Sequence, residues 1–206
     1  MKKNVIKLLI ASSLLATGLA ADDATSSAQN TGLYAGKNGI YVGGTLGGGS
    51  GSYSYNDGTT SYTPDNNGIA TTDMKLYVGK RSLYAFIQTG SIVNDDTTLS
   101  DADYTAVGIG YLNRIESFRQ NFSAGSLMPE FDVELGYDSV TQGSTDFAGL
   151  LLSADLGVAV SLIAIPELEF TAGLGYDMHA IKDSANSEYT VNLSSFNFNI
   201  GAKYNF

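Results

Sequence analysis

The sequence predicts an all-β chain, an eight-stranded antiparallel up-and-down transmembrane β-barrel, and three observations carry that prediction. Beyond the first twenty residues no segment holds the roughly 18 apolar residues of a spanning helix, whereas stretch after stretch alternates apolar with polar or small residues, the period of a strand. Most of these stretches reach the about 9–11 residues that a tilted spanning strand needs. The faces opposite the best apolar rows hold Gly, Ser, Ala and Asn more than Lys and Glu, a poor water-facing exterior but a suitable filling for a crowded lumen. Period two does not give direction, and a soluble ligand-holding barrel would turn the same rows inward. The composition of the second face favours lipid outside.

Composition narrows the chemistry. The 206 residues suit one domain, and 43% hydrophobic content with 13 Tyr and 9 Phe is too apolar for a solvated disordered tail. Without Cys the chain holds no disulfide, thiolate zinc site or cysteine nucleophile, and its lone His179 excludes a multi-histidine metal centre. No catalytic residue, metal or cofactor is implied. A formal net charge of -10 argues against nucleic acid as a partner, because that affinity rests largely on cations set against phosphates.

Residues 1–20 read as a secretory signal peptide. Met1-Lys2-Lys3-Asn4 is a basic start, Val5 to Leu19 is mostly apolar, and Gly18-Leu19-Ala20 places small residues before a cleavage point after Ala20. Lys7, Ser12, Ser13 and Thr17 interrupt the apolar stretch, which falls short of the roughly 20 residues of an anchor. Cleavage leaves 8 basic against 21 acidic residues, a formal -13. Residues 21–37 are polar and small, a flexible periplasmic lead-in, and residues 38–206 form the barrel.

The strands fall near 38–52, 71–80, 82–93, 103–113, 129–140, 145–163, 166–178 and 189–206. Along the first, Ile40, Val42, Gly44 and Leu46 share a face, and along the second Met74, Leu76 and Val78. The third is ambiguous, since Leu83, Ala85 and Ile87 or Tyr84 and Phe86 would serve as its apolar row. Thr105, Val107, Ile109 and Tyr111 mark the fourth, and Phe131, Val133, Leu135 and Tyr137 the fifth, opposite Glu130, Asp132 and Glu134. The sixth carries a long row from Ala148 to Leu162, the seventh Leu168, Phe170, Ala172, Leu174 and Tyr176 opposite Glu167 and Glu169. The eighth is clearest, with Phe196, Phe198, Ile200, Ala202, Tyr204 and Phe206 opposing Asn197, Asn199, Gly201, Lys203 and Asn205.

Segments 53–70, 94–102, 141–144 and 179–188 are rich in Gly, Ser, Thr, Asn and Asp, while the links at 80–81 and 164–165 are tight, the asymmetry of an outer-membrane barrel. The connection 114–128 breaks that rule. Its Ile115, Phe118 and Phe122 would form one helical face at the interface or prolong the flanking strands, and both readings stand. Leu135-Gly136-Tyr137-Asp138 recurs as Leu174-Gly175-Tyr176-Asp177, one hairpin later, which would set Tyr137 and Tyr176 in an aromatic girdle at one rim.

With apolar rows outward, Lys75, Glu130, Asp132, Glu134, Asp155, Glu167, Glu169 and Lys203 form a lumen charge network. Lys203 is expected to pair with Glu169 or Glu167 near the periplasmic rim. The acidic surplus must be hydrated, protonated or matched by cations from elsewhere, as a wet polar plug or a narrow cation-preferring path. Glycines 43, 44, 47, 48 and 49 lack the phosphate-loop spacing and its Lys, and Asp95, Asp96, Asp101 and Asp103 lack the spacing of a calcium loop. His179 reads as a solvated loop residue; a makeshift triad with Asp183 and Ser184 is the weak enzymatic alternative.

The signal peptide, the eight amphipathic strands and the terminal SSFNFNIGAKYNF resemble the small bacterial outer-membrane barrels of the OmpA transmembrane-domain, OmpX and opacity-protein group, part of the wider porin family. The terminal Phe206, with Tyr204 two places before it, is similar to the signal by which the barrel assembly machinery recognises such precursors. The resemblance implies a monomeric barrel in the outer membrane of a Gram-negative bacterium, in contact with its lipid and lipopolysaccharide and with an N-terminus in the periplasm. It implies roles in adhesion, surface protection or modest permeability, through loops that meet an extracellular ligand, and no peptidoglycan-binding role, since no such domain is expected after the barrel. Lipid-modifying enzymes on similar barrels use a His-x-Ser motif; here Ala180 and Ile181 follow His179, against that activity.

Overall fold

The computed structural model describes residues 39–56, 58–63, 67–95, 100–185 and 188–206. The signal peptide and the lead-in lie outside the described residues, as does Asp96. Eight long strands form the wall: β1 Ile40–Asn56, β2 Gly68–Lys80, β3 Leu83–Asn94, β4 Ala102–Arg114, β5 Gly125–Gln142, β6 Thr145–Leu162, β7 Ile165–Asp183 and β8 Thr190–Asn205. Each pairs antiparallel with its neighbours in sequence, and β8 pairs with β1 from Tyr41↔Asn205 to Asn56↔Thr190, so no barrel strand has an unpaired edge.

The registers set the shape of the barrel. From Tyr41 the ladder runs through Gly79, Tyr84, Gly110, Glu134, Ser153, Asp177 and Ser195 and re-enters β1 at Gly51, ten residues beyond its start. With about 3.4 Å of rise per residue and about 4.8 Å between strands, a shear of ten over eight strands tilts them by about 41°, within the range of transmembrane barrels. At that tilt the 19 residues of β7 rise about 49 Å, roughly twice the height of the apolar band such barrels carry. Part of the wall therefore stands outside the hydrocarbon.

The exterior shows where. Leu46, Leu76, Ile109, Leu135, Leu156, Leu174 and Ile200 all face outward and lie open, Leu174 at 67% and Leu156 at 64%. This belt runs round the whole barrel, far beyond the scattered apolar side chains of a water-soluble surface. Toward the loop end the outward positions turn mostly polar: Ser50, Thr72, Thr89, Asp103, Thr141, Lys182 and Asn192 are exposed, with Val93 an apolar exception. At the opposite end Leu83, Tyr111, Phe118, Phe122, Tyr204 and Phe206 remain exposed beside the tight turns. Among the described residues no helix is long and apolar enough to cross a membrane; the strands do the crossing.

Several expectations need correction. The strands run further toward the loops than the sequence suggests, β1 to Asn56, β2 from Gly68 and β7 to Asp183, which shrinks the segments expected as loops at 53–70 and 179–188. The outer link between β5 and β6 is a two-residue turn, with Gly143 at φ +59, rather than a loop over 141–144. The connection after β4 is a single 3₁₀ turn, Glu116–Phe118, followed by a short strand, Gln120–Phe122, that folds back on Gly125–Leu127. It mostly prolongs β5, because Phe122↔Gly125 and Gln120↔Leu127 keep their backbone groups paired in a ladder. In β3 it is Leu83 and Ile87 that face out, while Tyr84 and Phe86 are buried in the lumen.

Candidate functional site

Inward positions of the membrane section carry two interlocked walls. On the side of β1 to β4, Tyr41, Tyr77, Tyr84 and Phe86 stand in a column with ring centroids 6.2, 5.6 and 6.4 Å apart in turn. Two of these rings fit because glycine opposes them: Tyr77 pairs with Gly43 and Tyr41 with Gly79, and a Cβ on either glycine would come within 2.5 Å of the ring opposite. Leu112 and Leu151 close over the column.

The other wall is charged, and it begins at the short-turn end. Lys203 Nζ lies 3.1 Å from Glu169 and 3.6 Å from Glu130. Arg114 bridges the same two carboxylates, bonding Glu169 and approaching Glu130 at 3.7 Å. Ser161 Oγ donates to Glu169 at 3.3 Å, and the Lys203 ammonium stands 5.5 Å from the centre of the Tyr41 ring. Lys203 and Glu169 are 2% and 0% exposed. One level further in, Glu134 accepts from Lys75 Nζ at 2.7 Å and from Tyr84 Oη at 2.6 Å. Asp155 accepts from Asn199 at 2.6 Å and Ser153 at 3.2 Å, and Asp132 is half-buried beside them. Above that, Asn197 donates to Asp177 at 2.5 Å and accepts from Thr71 at 3.0 Å, and His179 Nδ1 meets Asp138 at 2.6 Å.

Burying so many ions is tolerable because most of them are paired or hydrogen-bonded, although Asp132 Oδ1 is buried with no hydrogen-bond partner among the described residues; an isolated ion in such a place would cost several kcal/mol, on the order of the whole stability of a domain. The result is a crowded interior. The cavity bordered by Lys75, Glu130, Asp132, Asp155 and Lys203 measures about 40 Å³, room for one or a few waters.

Of the charged residues expected in the lumen, Lys75, Glu130, Asp132, Glu134, Asp155, Glu169 and Lys203 point inward and are buried or half-buried. Glu167 shares the parity of Glu169 but is exposed at the rim, where its backbone carbonyl accepts from Asn205, and Lys203 takes Glu169. The reason is register, since Lys203 faces Glu169 directly across the β7–β8 ladder. His179 is not a solvated loop residue. It is 4% exposed inside β7, edge-on to Tyr104 with ring centroids 5.2 Å apart. Its carboxylate partner is Asp138, while Asp183 caps the amide of Ala185 and the amide of Ser184 binds Asp146, so the triad imagined for these residues is not assembled.

Sequence reasoning missed Arg114, Asp73, Asp138, Asp177 and the inward turn of His179. The signal is present, because each lies on the inward parity of its strand, Arg114 and His179 one residue past the ends that the alternation marks. Arg114 supplies the cation from elsewhere that the acidic surplus demanded. Tyr137 and Tyr176 both face outward; Tyr137 stands across the ladder from Leu150 and through it Ala180, four residues beyond Tyr176 on β7. Tyr204 and Phe206 also face out, their rings 5.1 Å apart, and the Phe206 amide donates to Ile40 at 2.9 Å, tying the end of the chain to the start of β1.

No family model and no curated protein matches this chain. Its fold is similar to those of solved structures, two crystal structures among them. Neisserial surface protein A (NspA) is 14% identical over 82% of this chain and 97% of that one, with a TM-score of 0.50. Outer membrane protein OprG from Pseudomonas aeruginosa is 11% identical over 84% and 97%, with a TM-score of 0.52. The likeness is one of fold, that of a transmembrane β-barrel.

Proposed function

We propose that this chain is an outer-membrane β-barrel whose lumen is a structural plug and whose work is a surface interaction, in adhesion or protection, made at its outer end. The observation that carries this reading is the filled membrane section. Its aromatic column and paired charges leave a cavity of about 40 Å³, too little for a hydrated ion to pass. The fold shared with NspA and OprG and the apolar belt support the outer membrane as its location. The wall that rises past the belt, with its polar outward face, supports an outer end that meets the surroundings.

A narrow channel for small cations is the second reading. It is favoured by the excess of inward carboxylates, Asp73, Glu130, Asp132, Glu134, Asp138, Asp155, Glu169 and Asp177, over Lys75, Arg114 and Lys203. Refolded protein, shown to be inserted, is placed in planar bilayers under a salt gradient. Silence is expected of the plugged barrel, and stable cation-selective steps that change with Glu134→Gln would overturn it in favour of the channel.

A further inference from the structure

Above the charged levels the lumen reverses its polarity. Ile69, Ile92, Val140, Phe147, Ile181 and Leu193 are buried on the inward face, at the height where the outward face carries Ser, Thr, Asp and Lys. Tyr104 crosses beneath them, accepting from Gln88 at 3.1 Å and edge-on to His179, and divides this compartment from the ions below. The upper compartment is not filled: a cavity of about 210 Å³ remains.

We propose that this cavity is a binding site for one small apolar molecule, the size of a substituted benzene, held in the outer mouth of the barrel. The site goes beyond the plugged-barrel reading and is independent of whether the lumen conducts. The space is open toward the outer mouth and walled by the hydrophobic cluster, and it is much larger than a single water needs. Water gains little over most of this lining, since Ile92, Ala102, Val140, Phe147, Ile181 and Leu193 offer none of the polar partners it needs. At the rim, Asn94 Nδ2 and Gln142 Nε2 both donate to the carbonyl of Ser100 at 2.8 Å, which ties one donor of each amide to the backbone. An apolar cavity of about 150 Å³ takes up benzene, so this one has room for a single ring with a short substituent. The rim adds flat aromatic surface, because Tyr55 and Tyr189 stack at 5.7 Å with their planes 16° apart. Alternation along eight strands thus yields a pocket with a mainly apolar lining, a few polar groups at its rim and a polar outer wall, the form that small-molecule sites take.

The test uses the mature protein in lipid nanodiscs with labelled isoleucine methyl groups, titrated with toluene. Ile92 and Ile181 report on the cavity, while Ile109 and Ile200, which face lipid, report on toluene dissolved in the bilayer. Saturable shifts confined to the cavity methyls are expected, with affinity at least tenfold weaker in Ala102→Leu, which fills the space, and in Val140→Phe as a second filling variant. Three results would each overturn the proposal. Cavity and belt methyls drifting together without saturation would mean partition into lipid only. Undiminished binding in a folded filling variant would place toluene elsewhere. Cavity methyls that ignore toluene and show contacts to lipid acyl chains would give the space to a membrane lipid.

Discussion

In the membrane section the side chains that point out of the barrel are mostly Leu, Ile, Phe and Val, and those that point in are Asp, Glu, Lys and Asn beside a column of Tyr and Phe; in the outer section they are mostly Ser, Thr, Asp, Lys and Asn outside and Ile, Val, Leu, Phe and Tyr inside. Both sections belong to the same strands, and β7 passes from one to the other between Asp177 and Ile181. The medium beyond the wall accounts for the switch. Against hydrocarbon an outward polar group has no partner, so apolar side chains go out and the lumen is held by ion pairs and hydrogen bonds. Against water the ordinary hydrophobic rule returns, and the interior becomes a small apolar core. One barrel is thus stabilised in two ways, by paired charges beside an aromatic column below and by apolar burial above.

The comparison is broken most forcefully at the charged rim. Glu169→Gln leaves Lys203 and Arg114 sharing Glu130 alone, and removing one member of such a buried set costs about 3–5 kcal/mol. Urea unfolding from lipid vesicles, followed by the gel shift of folded against unfolded barrel, should show a clearly lower midpoint. Glu116→Gln at the exposed Arg119 pair, worth about 0–1 kcal/mol, should leave it unmoved, and equal midpoints for the two variants would sink the idea.

The boundary between the sections is sharpened by one substitution made on either side of it. Leu156→Arg, in the middle of the outward row of β6, should cost about 2–4 kcal/mol, the depth-dependent penalty of a charge facing lipid. Ser50→Arg, outward on the polar part of β1, should change stability by no more than about 0.5 kcal/mol. Similar losses at both sites would mean that the bilayer covers the outer section as well.

The smallest effect is expected inside the apolar core. Ile181→Val removes one buried methylene next to a cavity and should cost about 0.5–1.5 kcal/mol in the same unfolding assay. Ile181→Asp, by contrast, would place an unpaired carboxylate in the apolar cluster and should exceed it; a tolerated aspartate would show that this compartment is wet.

Much of the barrel was legible in the residues. Eight strands, their order and the outward rows of β5, β6 and β8 follow from alternation that holds over Phe131–Tyr137, Ala148–Leu162 and Phe196–Phe206. The charged side of the lumen follows from the same parity, and so does the Lys203–Glu169 pair, which lies directly across one ladder. The ends of the strands were not legible, because the rule used to find them, apolar outside, ceases to hold above Met178 while the strand itself continues to Asp183. A polarity reversal within a regular strand looks, in one dimension, like the start of a loop. Both faces of β3 are apolar, so the direction of Tyr84 and Phe86 had no local signal either.

What the sequence determined by itself was period, strand number and the face that lipid would accept, since each depends on residues two apart on one strand. Only the tertiary structure decided which ions meet, that Arg114 turns in to share Glu130 and Glu169, that His179 takes Asp138, and that an apolar space remains in the outer mouth. These depend on a shear of ten around the closed ladder, which brings residues from five or six strands to one level of the lumen. Shear is a property of the closed circuit of hydrogen bonds, and no single strand carries it.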